Sequence, residues 1–157
     1  MQTTADKIRQ MVSVARPRLS NISPDLASAR ESPDAWSKKE ILGHLIDSAA
    51  NNHQRFVRGA LGVAVDFPAY DPPRWVEVQC YQQMDWAELV ELFAQYNFHL
   101  CRVLDTLPQD VLCNSCNIGK EAPVTLEFVI TDYLRHLGLH LNDLLETKVS
   151  TGTSNNS

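Results

Sequence analysis

Apolar positions along this chain recur mostly in steps of three and four, the period of an α-helix rather than a strand. Residues 5–19 place Ile8, Met11, Val12, Ala15 and Leu19 on one stripe, so a first helix is expected there. Pro17 should bend or shorten its end. Ser23-Pro24 reads as a cap followed by proline at the first helical position, enough for a short helical turn. Residues 28–35 are polar, contain Pro33 and read as a loop.

The second long helix carries the sharpest start signal. Ser37 is the cap, Glu40 lies three residues on, and Trp36 and Ile41 flank them, a capping box with a hydrophobic staple. The helix is expected to run to about Leu61, ahead of Gly62. Leu42, Leu45, Ala49, Asn52 and Phe56 mark one face; His44, Asp47, Ser48, Asn51 and Arg55 form an adjoining polar stripe. Residues 62–83, with Pro68, Pro72 and Pro73, read as a long connection, and loops of that length in a compact domain are usually functional or cross the fold. The alternation at 76–78 is the longest credible strand. Asp85 and Glu88 open a third helix in which Trp86, Leu89, Phe93, Tyr96, Leu100 and Val103 form a bundle seam, and Pro108 stops it. Residues 109–124 form a second long connection, after which Thr125 caps a last helix with Leu126, Val129, Ile130, Tyr133, Leu137 and Leu141 on its inner face. Residues 150–157 are Ser, Thr, Asn and Gly alone and are expected to be a disordered tail, leaving 1–149 as one domain. This pattern describes an all-α four-helix bundle with a crossover.

Composition narrows the function classes. The 157 residues are 44% hydrophobic and 21% charged, ordinary values for a soluble globular protein. The net charge of −5 and the lack of a basic run argue against a nucleic-acid surface. No apolar run approaches the roughly 20 residues that span a bilayer. Asp6, Lys7, Arg9 and Gln10 interrupt any signal-peptide core, so a cytoplasmic protein is expected. Its cysteines should then be mostly reduced. Cys113 and Cys116 have C-x-x-C spacing, at most half a zinc site and otherwise two loop thiols.

The chemistry concentrates on histidine. His136 and His140 stand four apart on the last helix, one turn above each other beside the apolar stripe. That is how a helix offers two imidazoles to one metal ion. His44, from the polar stripe of the second helix, would supply a third and leave positions open for water or substrate, as in a catalytic zinc site. The plainer reading is core histidines with backbone or carboxylate partners. Asp47, one turn from His44, would orient an imidazole, act as a base or be a fourth ligand; it could equally be a surface carboxylate. Asn51 and Arg55 continue that face, and Arg55 could bind a substrate carboxylate or make an internal ion pair. Asp132 and Asp143 are further candidate acceptors, whereas His53 and His99 read as ordinary histidines.

Trp36-Ser37-Lys38-Lys39-Glu40-Ile41-Leu42-Gly43-His44-Leu45-Ile46-Asp47-Ser48, followed by Asn51 and Arg55-Phe56, closely resembles the second helix of the DinB/YfiT-like superfamily. Trp75-Val76, Tyr81, Asp85-Trp86, Leu89 and Asn97 resemble its middle segment, and Thr125-Leu126-Glu127-Phe128 through Asp132-Tyr133, Arg135-His136 and His140 its last helix. The resemblance implies an up-down-down-up four-helix bundle, commonly a homodimer. It implies a divalent metal, zinc or nickel by the imidazole ligation, on His44, His136 and His140. Relatives so implied include thiol-dependent S-transferases, a mycothiol-dependent isomerase and proteins labelled simply as metal-dependent hydrolases. The expected function is therefore a metal-dependent enzyme on a small-molecule substrate, either a transferase using a low-molecular-weight thiol or a hydrolase. In that enzyme Asp47 assists while Asn51 and Arg55 shape the pocket, which the loop around Tyr70 and Trp75 would wall. The alternative is a non-catalytic stress-related protein with a structural metal.

Overall fold

The structure, a computed structural model, describes residues 2–62, 65–67 and 69–146. The tail expected at 150–157 lies outside them. Among the described residues six α-helices follow one another: α1 (Thr4–Ser20), α2 (Pro24–Ser28), α3 (Lys38–Ala60), α4 (Pro72–Gln79), α5 (Trp86–Thr106) and α6 (Leu126–Leu145). Each long helix starts where its cap dictates. Ser37 accepts from the Glu40 N–H while Glu40 reaches back to the Ser37 N–H, and Thr125 accepts from the Phe128 N–H.

Four of the helices form the bundle. Residues Ala5 and Arg9 of α1 meet Cys101 and Asp105 of α5, and Arg16 meets Glu91, so α1 and α5 are antiparallel. Gly43 of α3 lies beside Tyr81, just before α5, and His53 beside Tyr96 and His99, so α3 and α5 are parallel. Lys38 donates to the Leu144 carbonyl and Gly59 packs near Leu126, so α3 and α6 are antiparallel. With α1 also against α6, the four close a ring in the order α1, α5, α3, α6. The directions are up, down, down, up.

The seams read from the sequence face inward: Ile8, Val12, Leu19, Leu42, Phe56, Phe93, Leu100 and Leu137 are fully buried. Burying each such side chain is worth about 1.5–3 kcal/mol. Two polar side chains join the core as a pair, the Tyr133 hydroxyl donating to Asn97 Oδ1 at 2.5 Å while Asn97 Nδ2 donates to the Phe93 carbonyl. Pro17 does not shorten α1, which continues to Ser20. Ser13, whose carbonyl loses a partner to the missing proline N–H, is exposed, so water can replace the bond.

The long connections hold structure. In the stretch read as a loop, Asp71 caps α4 by accepting from the Arg74 N–H, and Pro72 and Pro73 fill the first turn, where a missing N–H costs nothing. Val76 is buried and Val78 exposed on this helix, so the alternation at 76–78 is not a strand. Three short strands tie the connections together: β1 (Val65–Asp66), β2 (Ser115–Asn117) and β3 (Val124–Thr125). β1 pairs parallel with β2, with Val65 opposite Cys116, and β2 pairs antiparallel with β3, with Ser115 opposite Thr125. Both C-x-x-C residues are free thiols; Cys113 is exposed and Cys116 is buried against Gly59. No described helix is long and apolar enough to cross a membrane.

Candidate metal centre

Antiparallel packing of α3 on α6 brings His44 opposite His136 and His140. His44 Nε2 lies 3.3 Å from His136 Nε2. The ring centroids are 5.2 Å apart for His44 and His136, 5.0 Å for His44 and His140, and 4.5 Å for His136 and His140. One nitrogen from each ring falls within 4.8 Å of the other two. Among the described residues this is the one cluster of three or more His, Cys, Asp or Glu side chains of such geometry. Neither Asp47 nor the C-x-x-C pair joins it.

The donor set fits a divalent ion. Metal binding needs imidazole in its neutral form. Burial, with the neighbouring imidazoles adding to it, lowers both His44 and His136 to about 4. Two nitrogens each about 2.0–2.1 Å from one tetrahedral zinc would be about 3.3 Å apart, the separation of the His44 and His136 atoms. Trp36 packs on the His44 ring at 5.4 Å between centroids, and Ser48 Oγ lies 3.4 Å from His136 Nδ1. These contacts limit how the two rings can turn.

Asp47 is buried at 2% exposure, so it is no surface carboxylate. Its Oδ1 accepts from the Tyr81 hydroxyl at 2.6 Å and from the Gln79 amide; its Oδ2, like His44 Nδ1, is buried with no hydrogen-bond partner. Burial raises the Asp47 carboxyl, and the bonds from Tyr81 and Gln79 pull it back. Gly43 makes this network possible. A Cβ there would stand 2.2 Å from the Tyr81 ring, so only glycine lets the ring lie across α3 and reach Asp47. Neither Gln79 nor Tyr81 is a candidate site residue in the sequence, where Tyr81 enters only through the family resemblance; they lie 32 and 34 positions from Asp47, in a stretch that reads as a loop.

The other candidates separate. Asn51 is turned into its own helix, donating to the Asp47 carbonyl at 2.9 Å. Arg55 is half-buried and lines a cleft of about 110 Å³ with Ser48, Asn52, Tyr70, Asp132 and His136. Asp132 is bonded to Arg135 at 2.8 Å, and Asp143 is exposed. His53 contacts the Tyr96 hydroxyl and His99, away from the cluster. Tyr70 lines this cleft, its ring tilted against Trp75 at 5.1 Å, whereas Trp75 lines a separate depression with Asp71, Arg74 and Gln79.

No protein among the curated proteins matches the chain. Among solved structures it is similar to YfiT from Bacillus subtilis, a probable metal-dependent hydrolase with an unusual four-helix bundle topology. The TM-score is 0.68 at 20% identity, covering 89% of this chain and 85% of that one. It is also similar to the mycothiol-dependent maleylpyruvate isomerase, with a TM-score of 0.75 at 12% identity, covering 90% of this chain and 59% of the isomerase. At such identities the two structures speak for the fold. The sequence profile of the DinB superfamily matches residues 7–144, nearly the whole chain, and the protein belongs to that superfamily.

Proposed function

We propose that this protein is a divalent-metal-dependent enzyme acting on a small molecule, with His44, His136 and His140 holding zinc or nickel. The observation that carries the reading is the convergence of three imidazole nitrogens within 4.8 Å, two of the rings kept neutral by burial. A bound ion would supply Lewis acidity, bringing the pKa of a water or thiol in contact with it toward neutrality. The chain supplies the rest. Trp36 and Ser48 orient the imidazoles. Tyr81 and Gln79 occupy Asp47 Oδ1 and leave Oδ2 without a partner, so Asp47 would be the group able to accept a proton released when a nucleophile is activated. Asn51 ties its side chain to the Asp47 carbonyl and stiffens that turn.

The cleft beside His136 favours an enzyme over a structural metal, because structural sites are closed. Within the enzyme reading, transfer to or from a low-molecular-weight thiol and hydrolysis both need a deprotonated nucleophile. Turnover separates them. The zinc- or nickel-loaded protein is offered common cellular thiols with an electrophile, beside a panel of esters and amides. Turnover that requires thiol identifies a transferase, and turnover of ester or amide in water alone identifies a hydrolase. A metal-loaded protein inert in both panels would leave a structural metal as the better account.

A further inference from the structure

The guanidinium of Arg55 is half-buried in the cleft and, among the described residues, makes no ion pair and no hydrogen bond. Asp132 and the Phe67 ring offset its charge only at a distance, and a half-buried guanidinium without a hydrogen-bonded partner is costly, so a group of this kind is normally kept for a partner. Its surroundings explain which partner. The guanidinium stands 5.8 Å from the centre of the Phe67 ring, and the Phe67 N–H bonds to the carbonyl of Asn117, the last residue of β2, so the charge lies toward the small sheet. His136 lines the same cleft beside Ser48, which precedes Arg55 by seven residues, a rise of about 10 Å along the α3 backbone. Tyr70 faces the guanidinium from the connection, half-buried. Asp132, among the described residues the one carboxylate lining the cleft, is bonded twice by Arg135, at 3.0 and 2.8 Å.

We infer that the cleft is a carboxylate subsite: Arg55 pairs with a carboxylate of the small-molecule substrate, Tyr70 stands beside it, and the molecule's opposite end reaches His136. The carboxylate is thus a handle and not the reacting group. The planar guanidinium fork matches a carboxylate in a bidentate pair. Among the described residues lining the cleft Arg55 is the one cation; Arg58 is exposed, 4.8 Å from the centre of the Phe67 ring. One positive charge facing the nearby Asp132 suits a monoanion better than a dianionic phosphate. The inference deepens the proposed function, resting on it for what happens at the His136 end and not for binding at Arg55.

The test titrates the isotope-labelled full-length protein by NMR, zinc-loaded and metal-free, with acetate, succinate, acetamide and inorganic phosphate. The Arg55 Nε–H and Tyr70 ring signals are followed. In the metal-free protein acetate and succinate should give saturable shifts at both residues. Acetamide should bind roughly tenfold more weakly, and phosphate should bind more weakly than acetate. Arg55→Gln should weaken succinate roughly tenfold, and Arg55→Lys, which keeps the charge and loses the fork, should fall between. Acetamide binding as well as acetate, or succinate binding unchanged in Arg55→Gln, overturns the subsite. If Arg55→Gln does not fold, succinate affinity in Arg55→Lys equal to wild type overturns it instead. The metal-free arm stands whether or not the protein holds zinc, so loss of the metal reading and loss of the subsite give different results.

Discussion

His44 and His136 are 92 positions apart in the chain, yet their Nε2 atoms face each other at 3.3 Å. Two neutral imidazoles gain little from such an approach beyond one hydrogen bond. The burial that makes both reluctant to take a proton has a consequence for stability in the metal-free protein. Unfolded, each titrates near 6.5; folded, each stays neutral to about 4. Between those values the unfolded chain binds more protons, so stability is present above about pH 6.5 and is lost as pH falls toward 4. Melting curves of chelator-treated protein should show Tm falling across that window. The fall should be shallower in His136→Gln. A flat profile would show that the two rings are solvated like free histidines.

Metal binding should appear as added stability. At a free zinc concentration 100 times Kd, binding to the folded state alone contributes about 2.7 kcal/mol. For a chain of this size that corresponds to a rise in Tm of about 5–11 °C. Differential scanning calorimetry with and without zinc measures it, and an unchanged Tm under saturating zinc would contradict a site formed only on folding.

The hydroxyl of Tyr81 and the carboxylate of Asp47 make a buried pair at 2.6 Å. Tyr81→Phe leaves that oxygen to Gln79 alone and should cost about 1–3 kcal/mol in urea unfolding. Gly43→Ala drives a methyl into the same ring and should cost about 1–3 kcal/mol by overpacking, more if the ring is expelled. If Tyr81 and Asp47 act as one unit, Tyr81→Phe and Asp47→Asn combined should cost less than the two separately. Strict additivity would mean that the bond carries little energy.

Much of this architecture is legible in the sequence because it rests on local signals. Ser37 with Glu40, Asp85, and Thr125 fix three helix starts through hydrogen bonds to residues only three positions away. The i, i+4 spacing of His136 and His140 puts both on one face by helix geometry alone. What escapes is non-local or depends on sign. Pro72 and Pro73 break a helix interior but open a helix start, and reading them as breakers hides α4. Gln79 and Tyr81 reach Asp47 across that unread helix. Cys80 between them adopts a left-handed backbone, φ 53°, uncommon outside glycine, and no pattern announces it. Asn52, assigned by periodicity to the apolar face, is buried and lines the cleft edge, donating to the Ser48 carbonyl at 2.9 Å.

The central claim is that His44, His136 and His140 together hold one divalent ion. Zinc content per chain, measured by plasma mass spectrometry after equilibration and dialysis, tests it most directly. Wild type should retain about one zinc per chain, and His44→Ala, His136→Ala and His140→Ala should each retain far less, with helical circular dichroism preserved. Stoichiometric zinc in any of the three variants, or none in the wild type, would contradict it.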